Sequence, residues 1–245
     1  MCPVLDGLPA EARAQLAVEW RRAALDEHAS VAAFARLTLE LLAFGAPADL
    51  VAATTSAATE EVHHALLGFQ LASAYAGEPV GPGDFPLGET LPLTRDLAAF
   101  AAATVREGCI GETLTTLLAL ECLAASTDRA VQATLKRITD DEQGHARLAW
   151  ATVRWAIDAG GEPVRAAVAE AFAELEGGRV PLPERLATGP HRAHLVAHGL
   201  PDAAMARAAL DRARLEVILP AAATLLRRRT AQADAPGTGV PHAST

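Results

Sequence analysis

Residues 59–64 of the chain read Thr-Glu-Glu-Val-His-His, and residues 140–145 read Asp-Asp-Glu-Gln-Gly-His. Both stretches contain a glutamate three residues before a histidine, as Glu61 with His64 and as Glu142 with His145. Residues three apart lie on one face of an α-helix, so each pair can offer an oxygen and a nitrogen to the same point. The repeat therefore indicates two helices that present the same pair of ligands.

A single glutamate lies well upstream of each pair. Glu27 precedes Glu61 by 34 residues, and Glu112 precedes Glu142 by 30 residues. These intervals fit two antiparallel helical hairpins, in which each upstream glutamate returns to the height of its partner. The predicted metal ligands are therefore four glutamates and two histidines at one level: Glu27, Glu61, His64, Glu112, Glu142 and His145.

Two registers are possible for the first stretch. If Glu61 and His64 face the interior, Glu60 and Asp141 each stand directly before a ligand, and both hairpins have the form acid-Glu-x-x-His. The extra acids are then free to orient a histidine by hydrogen bonding. In the alternative register, Glu60 and His63 face inward instead.

Hydrophobic periodicity predicts four long helices, at about residues 11–43, 47–75, 94–125 and 129–159. Short turns at 45–47 and 126–128 connect the members of each pair, and the turn Ser126-Thr127-Asp128 offers an N-cap for the helix that follows. Residues 76–93 are too rich in Gly and Pro for regular structure, so they form a long crossover. The predicted fold class is all-α, a ferritin-like four-helix bundle of two hairpins at residues 11–160 with a C-terminal helical extension.

We expect one domain over residues 1–229. Residues 161–229 form the extension that covers the bundle, with an amphipathic helix at about 164–176 and another from about 201 that Pro220 should kink. Residues 230–245 are rich in Ala, Gly, Pro, Ser and Thr and are predicted to be a disordered tail.

The composition excludes several classes of function. A net charge of −9 argues against nucleic acid as a partner, because phosphate binding requires a basic face. The N-terminus lacks the features of a secretory signal, and the most apolar stretch, near residues 97–125, contains four charged residues. Three cysteines form no even-numbered disulfide framework. We therefore expect a cytoplasmic protein with no membrane partner. A homodimer is the expectation for its assembly.

Four buried carboxylates without counter-charge would repel one another and would be costly to desolvate. Cations are therefore expected among them. Oxygen and imidazole ligands suit iron or manganese. The predicted cofactors are two Fe ions, with Mn or a mixed Mn/Fe pair as alternatives.

With these motifs, residues 11–160 resemble the ferritin-like di-iron carboxylate superfamily, which includes bacterioferritin, rubrerythrin and di-iron oxygenases. The resemblance implies a two-metal centre that reacts with oxygen or peroxide. It also implies that Glu27, Glu61 and His64 hold one side of the centre and that the three later ligands hold the other. The predicted function is a non-haem di-iron oxygenase or oxidase, whose partners are a small organic substrate, O2 and an electron donor. The alternatives are a ferroxidase or iron-handling protein and a non-catalytic, metal-stabilised bundle.

The glycines around Glu112 have two interpretations. Gly108 and Gly111 each lower the stability of a helix by about 1 kcal/mol relative to alanine. A π-bulge would compensate by bringing Glu107 onto the face of Glu112 as an additional metal ligand. Alternatively, the glycines allow close packing of helices.

Small side chains near Glu112 leave room for a substrate, so Gly108, Cys109 and Thr115 are predicted to line a pocket. Thr116, four residues after Glu112, resembles a threonine found at that place in bacterial monooxygenases, and these two are the predicted catalytic residues. Ordinary helix packing remains the alternative for all of these small residues.

Three further histidines, His191, His194 and His198, have a spacing that would place them on one helical face. They could form a second metal site, or they could lie in solvent or in a lid.

Overall fold

The computed structural model describes residues 2–86 and 93–227, and these residues are helical with no β-strand. The predicted tail at 230–245 and residues 87–92 of the crossover lie outside the described residues. The helices are α1 (Ala10–Ala43), α2 (Ala48–Ala76), α3 (Leu97–Ala125), α4 (Arg129–Glu176), α5 (Arg192–Ala197) and α6, which joins Ala203–Arg212, Ala213–Ile218 and Leu219–Arg227.

Two helical hairpins form the body of the molecule. The chain leaves α1 through Gly45, which adopts a positive φ of 67°. α1 and α2 then pack closely, because a Cβ atom at Gly68 would lie 2.9 Å from the Cβ of Ala24. In the second hairpin, the Asp128 carboxylate caps α4 by accepting hydrogen bonds from the backbone N–H groups of residues 130 and 131.

The four long helices are arranged unevenly. α1 packs on α2, α3 packs on α4, and α2 contacts α4, whereas α1 and α3 make almost no close backbone contact within the described residues. The architecture is compatible with a four-helix bundle. Its α1 and α3 sides are spread apart, and this separation leaves space inside the bundle.

Helix α3 contains a π-helical segment, Val105–Glu112, between two α-helical segments. Gly108 lies within it, and a Cβ atom there would come 2.5 Å from the Cβ of Ala149 on α4. The structure therefore contains both features that the glycines suggested, a π-segment and a close helix approach.

Helix α4 contains the break that the sequence predicted between a helix ending near residue 159 and an amphipathic helix at about 164–176. Gly161 has non-helical angles (φ 66°, ψ −144°) and Pro163 lies in the next turn, so α4 consists of two helical segments joined at a kink, and the second segment ends at Glu176. In α6, the π-helical segment Ala213–Ile218 comes just before Pro220. Because proline lacks an N–H and clashes with the preceding turn, a widened turn is a physically reasonable adjustment.

The extension is anchored at the end of the bundle that carries the α3–α4 turn. The Ala197 carbonyl accepts hydrogen bonds from the backbone N–H of Thr127 and from the Ser126 hydroxyl. Trp20 on α1 donates its indole N–H to the His198 carbonyl at 3.2 Å. Helix α6 packs against α3 and α4 and contributes Ile218 to the shared core.

Helix α3 is the one helix in the described part of the chain that is long and apolar enough to cross a membrane by length and composition. A mostly buried core helix of a soluble protein passes the same test, but only 22% of the apolar window of α3 is buried inside the described part of the molecule. Because α3 packs along α4 and carries Glu112 toward the centre of the bundle, the arrangement is compatible with a soluble protein.

Candidate metal centre

The structure brings the six predicted ligands together at mid-height in the bundle. They form two groups that could each hold a metal ion, and the two groups share Glu142. Within each group, the potential ligand atoms lie within 4.8 Å of one another. One group contains Glu27, Glu61, His64 and Glu142, and the other contains Glu112, Glu142 and His145.

The interior of the centre comes from α2 and α4. Glu61, His64, Glu142 and His145 are all buried, whereas Glu27 on α1 and Glu112 on α3 are partly exposed. The two imidazole rings lie 5.9 Å apart between centroids. The centre is therefore deeply held on one side and open toward the gap between α1 and α3.

Each histidine is fixed by an acid from the opposite helix. His145 Nε2 lies 2.9 Å from Glu60 Oε2, and His64 Nε2 lies 3.0 Å from Asp141 Oδ2. These contacts leave both Nδ1 atoms directed at the carboxylates, with His145 Nδ1 3.1 Å from Glu61 Oε1. Histidine ligands commonly bond a carboxylate through the ring nitrogen that does not bind the metal.

The buried atoms at the core of the centre lack hydrogen-bond partners. His64 Nδ1, His145 Nδ1, Glu61 Oε2 and Glu142 Oε2 are all buried with no such partner among the described residues. Buried polar atoms normally have one, so four unsatisfied atoms in contact call for a bound group. Carboxylate oxygens and imidazole nitrogens are ligands that suit Fe and Mn. The residues present therefore fit a metal ion.

The protonation of the metal-free centre follows from these contacts. Burial alone would lower the histidine pKa values, but contacts with the surrounding glutamates outweigh it and raise the pKa of His64 to about 12 and of His145 to about 11. Burial and the neighbouring Glu142 raise the pKa of Glu112 to about 9. Although burial opposes it, contact with both histidines lowers the pKa of Glu142 to about 2. In the absence of metal, protons held on the histidines supply the counter-charge.

The register of the first motif is now visible. Glu61 and His64 face the interior, and His63 is exposed. The additional ligand suggested at Glu107 is not brought into either metal group of the described residues. Its side chain is 58% exposed and forms an ion pair with Arg36 of α1, across the gap between α1 and α3.

A cavity of about 610 Å³ begins at the metal centre and runs toward the end of the bundle that carries the extension. We call it the cleft. Its inner end is formed by Glu27, Glu61, His64, Glu112 and Glu142, and its outer end includes Arg22, Pro183, Glu184, Arg185, Gly199 and Pro201. Between them lie mainly apolar residues, among them Trp20, Ala23, Gly68, Leu118, Leu135 and Ile138.

The predicted pocket and catalytic residues are distributed around Glu112. Thr115 lines the cleft. Thr116 is buried, and its hydroxyl donates to the Glu112 carbonyl at 2.6 Å. Cys109 is fully buried in the core between α3 and α4, and burial raises the pKa of its thiol. Gly108 lines a separate cavity of about 70 Å³, which reaches Glu112 and His145 from the other side.

The three C-terminal histidines are not brought into a metal group in the part of the chain that the structure describes. His191 Nε2 lies 3.9 Å from Glu11 Oε2. The ring centroids of His191 and His194 are 6.4 Å apart. His198 has a structural role, because its Nδ1 lies 2.8 Å from the Tyr75 hydroxyl and both side chains are buried.

Sequence reasoning did not identify Arg185 or Arg22 as site residues. Neither belongs to a motif, and Arg185 reaches the cleft only because the extension folds back over the bundle. No local pattern in the sequence could have signalled this position.

Comparison with known proteins finds no family model, no curated protein and no solved structure that matches this chain. A possible metal-binding cluster of glutamates and histidines in an all-helical protein is therefore what the structure shows.

Proposed function

We propose that the protein is a non-haem di-iron oxygenase or oxidase that uses O2 and an external electron donor to oxidise a small organic molecule. Manganese, alone or with iron, is the alternative metal. The observation that carries the proposal is a pair of metal-ligand groups sharing Glu142, with unpartnered ligand atoms, at the inner end of a cleft of about 610 Å³.

The residues have distinct roles in this proposal. His64 and His145 bind through Nδ1, while Asp141 and Glu60 hold their rings in place. Glu142, common to both groups, is suited to bridge two ions, and Glu61 contacts both histidines. Two iron ions held there would supply redox chemistry and open coordination positions for O2.

The approach of the substrate follows from the exposure of the ligands. Glu27 and Glu112 lie at the cleft, whereas the ligands of α2 and α4 lie behind them. A molecule in the cleft therefore meets the centre from the α1–α3 side. Thr115 contributes a hydroxyl to that wall. Partial exclusion of water by the extension would strengthen electrostatic interactions at the reacting centre.

Iron handling by a ferroxidase would use the same six ligands. The cleft favours an organic substrate instead, because its walls combine apolar side chains with arginines at the outer end. Such a mixed lining is typical of small-molecule sites.

The decisive test is the metal content of the full chain after anaerobic Fe(II) loading and desalting. We expect about two iron ions per chain in the natural protein and almost none in Glu142→Ala, because both groups contain this residue. The matched control is Glu40→Gln, since Glu40 is a buried glutamate outside the metal groups and its amide would still accept from the Thr94 N–H. Helix content measured by circular dichroism confirms that the variants are folded.

The loaded protein is then mixed with O2, a reductant and candidate substrates. Oxygen consumption that depends on Glu142 would support the proposal. Failure of the natural protein to retain either iron or manganese would contradict it. Uptake of iron far beyond the centre would favour iron handling, and retained metal without oxygen consumption would favour a metal-stabilised bundle.

A further inference from the structure

We propose that Arg185 binds the carboxylate of the substrate, so that the cleft selects an amphiphilic organic acid whose other end reaches the metal centre. The inference rests on the proposed function for the identity of this molecule as a substrate. The binding of a carboxylate at Arg185 can be tested independently of any reaction.

The guanidinium of Arg185 is poorly satisfied by the protein. Its side chain is only 30% exposed, yet it makes no hydrogen bond with the described residues, and its Nε atom is buried without a partner. Among residues 2–86 and 93–227, its ion-pair partner is Glu19, whose Oε2 lies 3.5 Å from Nε. Arginine carries five N–H donors in a planar fork. Arg185 therefore offers unused donors at the wall of a cavity.

Arg22 and Arg185 both lie near the carboxylate of Glu19 at this end of the cleft. Glu19 also lies 3.9 Å from Arg22 Nη1, again beyond hydrogen-bonding distance. Asp26 and Glu184 are the other acidic residues at the outer cleft. A planar carboxylate matches the guanidinium fork. The three nearby acids repel any anion, but they repel the two charges of a phosphate dianion more strongly than the single charge of a carboxylate, so phosphate fits less well.

The distance between Arg185 and the metal centre sets the length of the proposed substrate. Arg185 contacts Glu19, and Glu27 at the metal centre is eight residues further along α1. At the rise of an α-helix, this separation is about 12 Å. The wall in between is mainly apolar, with Trp20, Leu135 and Ile138 among its residues. A medium-chain fatty acid, or an aryl-substituted acid of similar length, could place its carboxylate at Arg185 and its other end at the metal centre.

The probes are octanoate and decanoate, titrated by calorimetry into the Mn(II)-loaded full chain after its metal content has been measured. Octanamide and octyl phosphate serve as the uncharged and dianionic comparisons. We expect the carboxylates to bind at least roughly tenfold more tightly than either comparison, as a charge-assisted hydrogen bond would provide.

Four variants place the interaction at Arg185. Arg185→Gln should weaken carboxylate binding by roughly tenfold or more without changing metal content or Tm, because Arg185 makes no hydrogen bond with the described residues and has only a 3.5 Å ion pair with Glu19 among them. Glu19→Gln should strengthen binding, since it frees two guanidiniums. Arg22→Gln should have a smaller effect, because this side chain is 54% exposed. Arg129→Gln, an exposed arginine outside the cleft, is the control and should bind normally.

Metal-free protein is titrated in parallel to separate the two proposals. Binding that depends on Arg185 but not on metal supports the inference even where the metal-content test fails. Carboxylate binding that is abolished by metal removal and unaffected by Arg185→Gln would overturn it, because the carboxylate would then sit on the metal. Equal binding of octanoate and octanamide would also overturn it.

Discussion

The acids that hold the two histidines come from the facing helix, so each side of the centre depends on the other. Glu60 of α2 holds His145 of α4, and Asp141 of α4 holds His64 of α2. Asp141 Oδ2 also lies 2.8 Å from Arg137 Nε, and this ion pair keeps the Asp141 carboxylate in position. The crosswise pairs fix both rings with Nδ1 toward the shared carboxylates before any metal binds.

Glu60→Gln and Asp141→Asn should therefore weaken metal binding although neither residue is a ligand. The amides keep the shape but lose the charge that orients and polarises the imidazole. We expect the affinity for Mn(II) or Fe(II) to fall by roughly 10- to 100-fold in each variant, measured by competition with a chromophoric chelator. Asp140→Asn is the matched control, because Asp140 only pairs with Lys136 on the surface. Unchanged affinity in both variants would contradict this role.

At the scale of single elements, helix α3 combines a π-helical segment with the closest approach to α4. Gly108 is the point of contact, since its added Cβ would lie 2.5 Å from the Cβ of Ala149. Gly144 in α4 is the opposite case, because nothing lies within 4 Å of an added Cβ there. Gly108 lies in the π-helical segment and in close contact with α4, whereas Gly144 lies in a regular α-helix with open space around it.

Alanine at these two positions should therefore have opposite effects on stability. Gly108→Ala should lower the free energy of unfolding by about 1–3 kcal/mol, because it overpacks the contact between α3 and α4. Gly144→Ala should raise it by about 0.5–1 kcal/mol through helix propensity alone. Urea denaturation of the metal-free protein measures both changes. A stabilised Gly108→Ala variant would show that α3 and α4 are not in close contact at this point.

The spacing of apolar residues in the sequence explains which helix bounds could be predicted. The bounds of α1, α2 and α3 agree with the periodicity to within a few residues, because each helix has an apolar stripe and ends at a turn. The break in α4 was also predicted, because Gly161 and Pro163 separate the helix expected to end near residue 159 from the amphipathic helix at about 164–176, and the structure has a kink there with helix on both sides. The exposure of Thr115 and the burial of Thr116 depend on how α3 packs against its neighbours, which the spacing of the sequence does not encode.

At the scale of the whole molecule, the separation of α1 from α3 connects the fold to the site. It leaves the centre open on one side, and the extension limits the resulting cleft at its outer end. The ion pair between Arg36 and Glu107 bridges the gap beyond the centre. This arrangement could not be predicted from the sequence, because it depends on contacts between segments far apart in the chain, such as Arg185 with Glu19.

Metal should stabilise the whole molecule, because its ligands come from all four long helices and are not assembled in the unfolded chain. At a free metal concentration about 1,000 times Kd, binding adds about 4 kcal/mol to the free energy of unfolding, which for a chain of this size raises Tm by about 10 °C.

At a fixed metal concentration, the size of this rise in Tm should increase with pH between about 6 and 8. In the metal-free protein the raised pKa values of His64, His145 and Glu112 keep protons on these groups, and the metal must displace them. Differential scanning calorimetry of Mn(II)-loaded and metal-free protein at several pH values measures the difference, and Glu142→Ala should show none. A Tm difference that stays constant as pH rises would contradict this, because it would mean that these groups are already deprotonated before metal binds.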